Sequence, residues 1–143
     1  MEHIWILYAL LSAILAALVA VFGKIGLQRI DTTTATAIRA VIMALFLTGV
    51  IAIQGKLVDV RPILSNSKAL FYIALSGVAG ALSWLFYFIA LRDAKVSQIV
   101  PFDRMSVVFA LILAFFILGE TISLKAAIGA VLVVAGGLLI ALG

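Results

Sequence analysis

Apolar residues run through this chain in five blocks of membrane length, separated by short interruptions where most of the charge is gathered. The first block, 4–22 (IWILYALLSAILAALVAVF), is followed by Lys24, Gln28, Arg29 and Asp31. The second, 33–53, starts after Asp31 and a run of threonines, whose side chains can cap the first free amides of a helix. Residues 54–68 (QGKLVDVRPILSNSK) form the one sizeable loop, where Pro62 and Asn66 argue against a continuous helix. A third block, 69–91, gives way to a short turn with Arg92, Asp93 and Lys95. The fourth, 96–118, ends in Gly119 and Glu120; Ser123 or Thr121 then caps the fifth, 123–142. At a rise of about 1.5 Å per residue, each block is long enough for a hydrocarbon core about 30 Å thick. The pattern predicts an all-α membrane protein with five transmembrane helices, forming a single domain over residues 1–143.

The polar residues inside these blocks are the informative ones. In the fourth, VSQIVPFDRMSVVFALILAFFILGE, Asp103 falls roughly 10 Å inside the hydrocarbon with Arg104 beside it. Pro101 removes a backbone donor and frees the carbonyl of Ser97, so a bent or loosened helix is expected beside the charge. Arg39 lies about 9 Å into the second block. On insertion scales such a charge at mid-membrane costs roughly 2.5 to 3.5 kcal/mol, less toward the interface, and it usually faces a bundle interior. With five spans, Lys24, Arg39, Tyr87, Asp103 and Arg104 share one side of the bilayer, and an Arg39–Asp103 pair would offset part of each desolvation cost. Along the third block Ser76, Gly80, Ser83 and Tyr87 fall on one face, with Gly77 and Trp84 alongside. Ser12, Met43, Ser76, Ser83, Trp84 and Ser106 are the candidate lining of a cavity. Gly129 and Gly136, seven apart on the fifth block, suit a helix that packs closely on another helix.

Composition sharpens this picture. The chain is 66% apolar, with a mean hydropathy of +1.37 and only 11% charged residues, outside the range of soluble domains. Its net charge of +4 is scattered in ones and twos with no basic stripe, so nucleic acid is not an expected partner. Cysteine is absent, and the single histidine, His3, stands at the very start, so neither a metal site, a bound cofactor nor a Cys- or His-centred catalytic group is expected. The preceding Met-Glu-His lacks the basic start of a signal peptide, and the first block is read as a retained span. Outside the membrane, the N-terminal side carries Lys56, Arg61, Lys68 and Lys125, and the other side Lys24, Arg29, Arg92 and Lys95. This balance leaves orientation undecided and permits insertion both ways.

The residues AALVAVFGKIGLQRIDTTTATAIRA, SWLFYFIALRDAKVSQIVPFDRMSVVFALILAFFILGETIS and GAVLVVAGGLLIAL also carry a resemblance. They look like a single EamA domain of the drug/metabolite transporter superfamily, and resemble the small five-helix bacterial and archaeal proteins made of that one domain. The most specific features are the Leu-Gly-Glu turn ending at Glu120, Ser123 after it, the Phe-Gly-Lys ending at Lys24, and Arg39. The resemblance implies one half of an inverted-repeat transporter: full-size members have ten helices in two inverted halves around a central cavity. The related small multidrug resistance family works as an antiparallel dimer joined through its last helix, which makes Gly129 and Gly136 the candidate dimer contact here. That family carries a proton-coupling glutamate in its first helix. This chain has no acid in its first block, and Asp103 is the substitute.

The expected function is secondary transport of a small metabolite, an amino acid, sugar or related solute, across the cytoplasmic membrane. The expected working form is an antiparallel homodimer, with proton coupling through Asp103 left open. The alternatives are a non-transporting membrane assembly partner and a multidrug or cation exporter. No Ser-His, paired-carboxylate or metal-ligand group can be built at one depth, so an enzyme is not expected.

Overall fold

A computed structural model describes residues 4–143. Met1, Glu2 and His3 lie outside the described residues, and with them both the single histidine and the expected absence of a signal-peptide start. The protein is an all-α membrane protein whose five transmembrane helices are α1 (Ile4–Gly26), α2 (Thr32–Ile53), α4 (Ser67–Asp93), the interrupted span Val96–Leu118, and α7 (Leu124–Leu142). A short helix α3 (Val60–Ser65) lies between α2 and α4, and α5 (Val96–Asp103) and α6 (Ser106–Leu113) share the fourth span. Few side chains are buried; among them are the small Ala20, Ala130 and Ala141 and the large Leu27, Phe88 and Leu91. Large apolar residues such as Ile53 and Phe46 are exposed, as a surface solvated by lipid tails allows.

The chain divides into two compact units. The first comprises α1 through Ile25 together with Asp93–Gly143, the second Gly26–Arg92.

In the second unit, Asp31 caps α2 by accepting a 2.7 Å hydrogen bond from the Thr34 amide. That bond, a second from the Thr34 side chain and the charge of Arg92 hold the Asp31 carboxyl below its ordinary value. Asn66 caps α4 in the same way, its Oδ1 accepting from the Ala69 amide at 3.1 Å. The sequence 54–68, read as an open loop, instead folds into a 3-10 turn at Lys56–Asp59 and then α3. Pro62 is compatible with this because it stands in the first turn of α3, where no amide donor is needed. Helix α4 extends through Arg92 and Asp93, which sequence reading placed in the following turn.

In the first unit, α1 runs to Gly26, so Lys24 belongs to its last turn and not to a loop. The Lys24 ammonium donates to the Ala94 carbonyl at 2.8 Å, tying the end of α1 to the approach to α5. Gln98 Oε1 accepts from the Lys95 amide at 3.2 Å and steadies the start of α5. Pro101 is buried within α5, and the interruption falls after it, at Arg104 and Met105. There the ladder tightens: the Met105 amide donates to Phe102, Val107 to Arg104 and Val108 to Met105. The span then widens into a π turn at Ala114–Leu118 and stops at Gly119, whose φ of 69° suits glycine and strains other residues. Ser123 caps α7, its Oγ accepting from the Ala126 amide at 3.2 Å. Helix α5 packs along α7, where Gly137 lies against Pro101.

Candidate functional site

Helical periodicity places Thr36, Arg39, Ala40 and Met43 along one side of α2, and Ser76, Gly77, Gly80 and Trp84 along one side of α4. These two faces line a groove of about 560 Å³ within the second unit. Small residues keep it open. A Cβ added at Gly77 or Gly80 would meet nothing within 4 Å.

The chemistry of the groove is concentrated at Arg39. Its guanidinium carbon stands 3.9 Å from the centroid of the Trp84 ring and 4.8 Å from that of Phe88. Trp84 and Phe88 are stacked, with centroids 5.5 Å apart and planes at 28°. Tyr87 meets both edge-on at 5.6 Å, at 78° to Trp84 and 75° to Phe88. Phe88 is the anchor, only 3% exposed. A guanidinium is planar and weakly hydrated, so it can lie on an aromatic face where an ammonium would keep its water. Such contacts contribute roughly 0.5 to 2 kcal/mol, the larger figure when desolvated. Among the described residues of this unit, no carboxylate forms an ion pair with Arg39.

Of the residues singled out in the sequence, the groove brings together Arg39, Met43, Ser76 and Trp84. Tyr87 belongs to the aromatic cluster, and Ser83 is not part of the lining. The expected face, stepping 76–80–83–87, is turned slightly from the one that lines the groove, 76–77–80–84. Phe88 and Thr36 were missed; the signal for Phe88 was its spacing of four from Trp84, which puts both rings on one side of α4.

The other candidates belong to the first unit. Lys24 is bound to Ala94 as above. Asp103 and Arg104 are exposed at the break between α5 and α6, and Arg104 lines a groove of about 340 Å³ with Pro101, Gly136 and Gly137. Ser12 and Ser106 are exposed on α1 and at the start of α6. At Gly129 and Gly136 an added Cβ would meet nothing within 4 Å, whereas at Gly137, not singled out before, it would come 3.2 Å from the Pro101 carbonyl oxygen. Among the described residues, no three His, Cys, Asp or Glu side chains gather as metal ligands.

Comparison with known proteins bears on what this arrangement serves. The chain is 36% identical over 141 residues to an "Uncharacterized transporter in cobO 3'region" of Sinorhizobium sp., a match that covers 99% of each chain. No solved structure matches it. The EamA-like transporter family matches residues 3–142, and on that near-complete coverage the chain belongs to the EamA-like transporter family.

Proposed function

We propose that this chain carries a small organic solute across the cytoplasmic membrane, as an antiparallel homodimer of five-helix units in which the α2–α4 groove forms part of the solute path. Family membership supports a membrane transporter rather than an enzyme. The observation that carries the reading further is the embedded cation over Trp84 and Phe88 at the groove. Holding Arg39 at this depth costs up to roughly 3 kcal/mol on insertion scales, and stacking on the two rings offsets about 2 kcal/mol of it. A charge held inside the membrane span and facing an open groove suits a residue that meets a solute.

Asp103 is the acid assigned to gating and proton coupling in the same cycle, with Lys24, Arg104 and Tyr87 as further gate residues. Its place beside a broken span suits that role, because interrupted helices are where transporters commonly bind solutes and ions. Ser12 and Ser106 in the first unit, and Ser83 in the second, are each proposed as further polar contacts for the solute. The balanced charges in the loops and at the span ends support insertion in both orientations. The open glycines of α7, Gly129 and Gly136, leave room for a second copy to approach closely.

The test is uptake of a labelled metabolite mixture by proteoliposomes. Accumulation that depends on the protein and is lost in both Arg39→Gln and Asp103→Asn supports the reading. A folded protein that moves no solute would make it a non-transporting assembly partner. Dimer architecture is read separately: two lysines added to one loop should bias the orientation of a C-terminal reporter, and a reporter confined to one side regardless would remove the antiparallel arrangement.

A further inference from the structure

The carrier reading leaves the solute open, and the groove narrows it. We propose that the α2–α4 groove takes a small monocarboxylate with an apolar or aromatic body, its carboxylate seated on the edge of the Arg39 guanidinium. This inference rests on the transporter reading for its biological setting, but its geometry lies wholly on α2 and α4.

Three features converge on that chemistry. A guanidinium placed 3.9 Å over Trp84 and 4.8 Å over Phe88 uses its flat face. Its N–H donors lie in the plane, so stacking leaves them directed along the edge, and two parallel donors match the two oxygens of a carboxylate. The same placement works against a cation, which would find ring faces in use and a like charge beside them. The rest of the lining is mainly Ala, Gly, Met and Leu, its hydroxyls are those of Thr33, Thr36 and Ser76, and it includes no Asp or Glu. An α-amino acid would therefore bring its ammonium to a wall with no counter-ion, and a sugar would meet few partners. Thr36 is already engaged, its hydroxyl donating to the Thr32 carbonyl at 2.7 Å. One cation and an apolar wall suit one carboxylate and an apolar body, and about 560 Å³ is ample for a solute the size of phenylacetate.

The chain has two tryptophans, so Trp5→Phe leaves Trp84, under the guanidinium, as the sole reporter of indole emission. The protein is placed in phosphatidylcholine nanodiscs and titrated with phenylacetate, benzoate, hexanoate, phenylalanine, phenethylamine and glucose. The three carboxylates should change the emission saturably. Phenylalanine should bind at least about 10-fold more weakly, as expected for an unpaired ammonium, and phenethylamine and glucose should give no change. Arg39→Gln should weaken the carboxylates by about 30-fold or more, and Arg39→Lys by less, since it keeps the charge but loses the planar fork. Gly80→Leu provides a variant that leaves Arg39 untouched: open space at Gly80 admits the side chain, which fills the groove and should abolish binding.

Equal responses to phenethylamine or glucose, or carboxylate affinities unchanged in both Arg39→Gln and Gly80→Leu, would overturn the proposal. So would phosphatidylglycerol displacing phenylacetate in an Arg39-dependent manner, which would give the site to a lipid headgroup. The two readings fail separately. If proteoliposomes accumulate another solute while all three carboxylates stay unbound, the solute class falls and the transporter stands. If the carboxylates bind through Arg39 but no solute crosses, binding stands and transport falls.

Discussion

Gly137 of α7 sits so close to Pro101 of α5 that a Cβ on it would lie 3.2 Å from the Pro101 carbonyl oxygen and 3.5 Å from the Pro101 Cβ. The nearer atom is backbone and yields little. Replacing glycine by alanine inside a helix is ordinarily favourable by about 0.5 to 1 kcal/mol, whereas overpacking costs roughly 1 to 3. Gly137→Ala should therefore lower the melting temperature in detergent, and Gly137→Leu more so. Gly49, where an added Cβ meets nothing within 4 Å, gives the reference: Gly49→Ala should raise it. A rise in both would show that α5 and α7 are not held at this distance.

The aromatic bed of Arg39 should be measurable as stability. Phe88 is buried beneath the cluster, so Phe88→Ala removes a packed ring as well as part of the stack and should cost about 3 kcal/mol or more. Trp84→Leu keeps apolar bulk and removes the indole face, for a loss of about 1 to 2 kcal/mol. In an Arg39→Gln background the Trp84→Leu penalty should shrink, because the two residues share one interaction. Equal penalties in the two backgrounds would mean that the stack contributes nothing.

The cap of α2 makes a pH prediction with a definite sign. The Asp31 carboxyl is held below its ordinary value, chiefly by the Thr34 amide, so its ionised form is favoured by folding. Its contribution is fully present above the unfolded value and is lost as pH falls through the folded one. Against Asp31→Ala, the wild type should show a constant excess in melting temperature from neutral pH down to about 5. That excess should decline below about 4. A difference unchanged down to pH 2 would place the cap elsewhere.

Arg29, between α1 and α2, has a φ of 66°, a left-handed conformation that non-glycine residues adopt at a cost of order 1 kcal/mol or more. Arg29→Gly should stabilise the protein by up to roughly 1 kcal/mol, provided that removing the cation does not alter insertion. Thermal unfolding together with a C-terminal orientation reporter separates the two effects.

Much of the architecture was legible from the chain alone because it depends on local quantities. The lengths of the apolar blocks set the number of spans, and Asp31 and Ser123 act as caps because side-chain acceptors just before an apolar run are the partners nearest to the free amides. Block ends were less legible: Arg92 and Asp93 read as a turn by charge, yet helix continues through them because a charged residue at a span end can remain helical while its side chain reaches polar surroundings. Arg39 and Trp84 stood out as a costly charge and a polar-tipped ring in apolar surroundings. That they meet, with Phe88 beneath them, depends on the rotation of α4 about its axis; periodicity pointed to the 83–87 face, and packing selects the neighbouring 84–88 face. That Gly137, beside the Gly136 expected at a dimer contact, is the glycine that admits α5 was equally beyond the pattern, since adjacent positions differ by about 100° around a helix and only packing selects which one faces the neighbour.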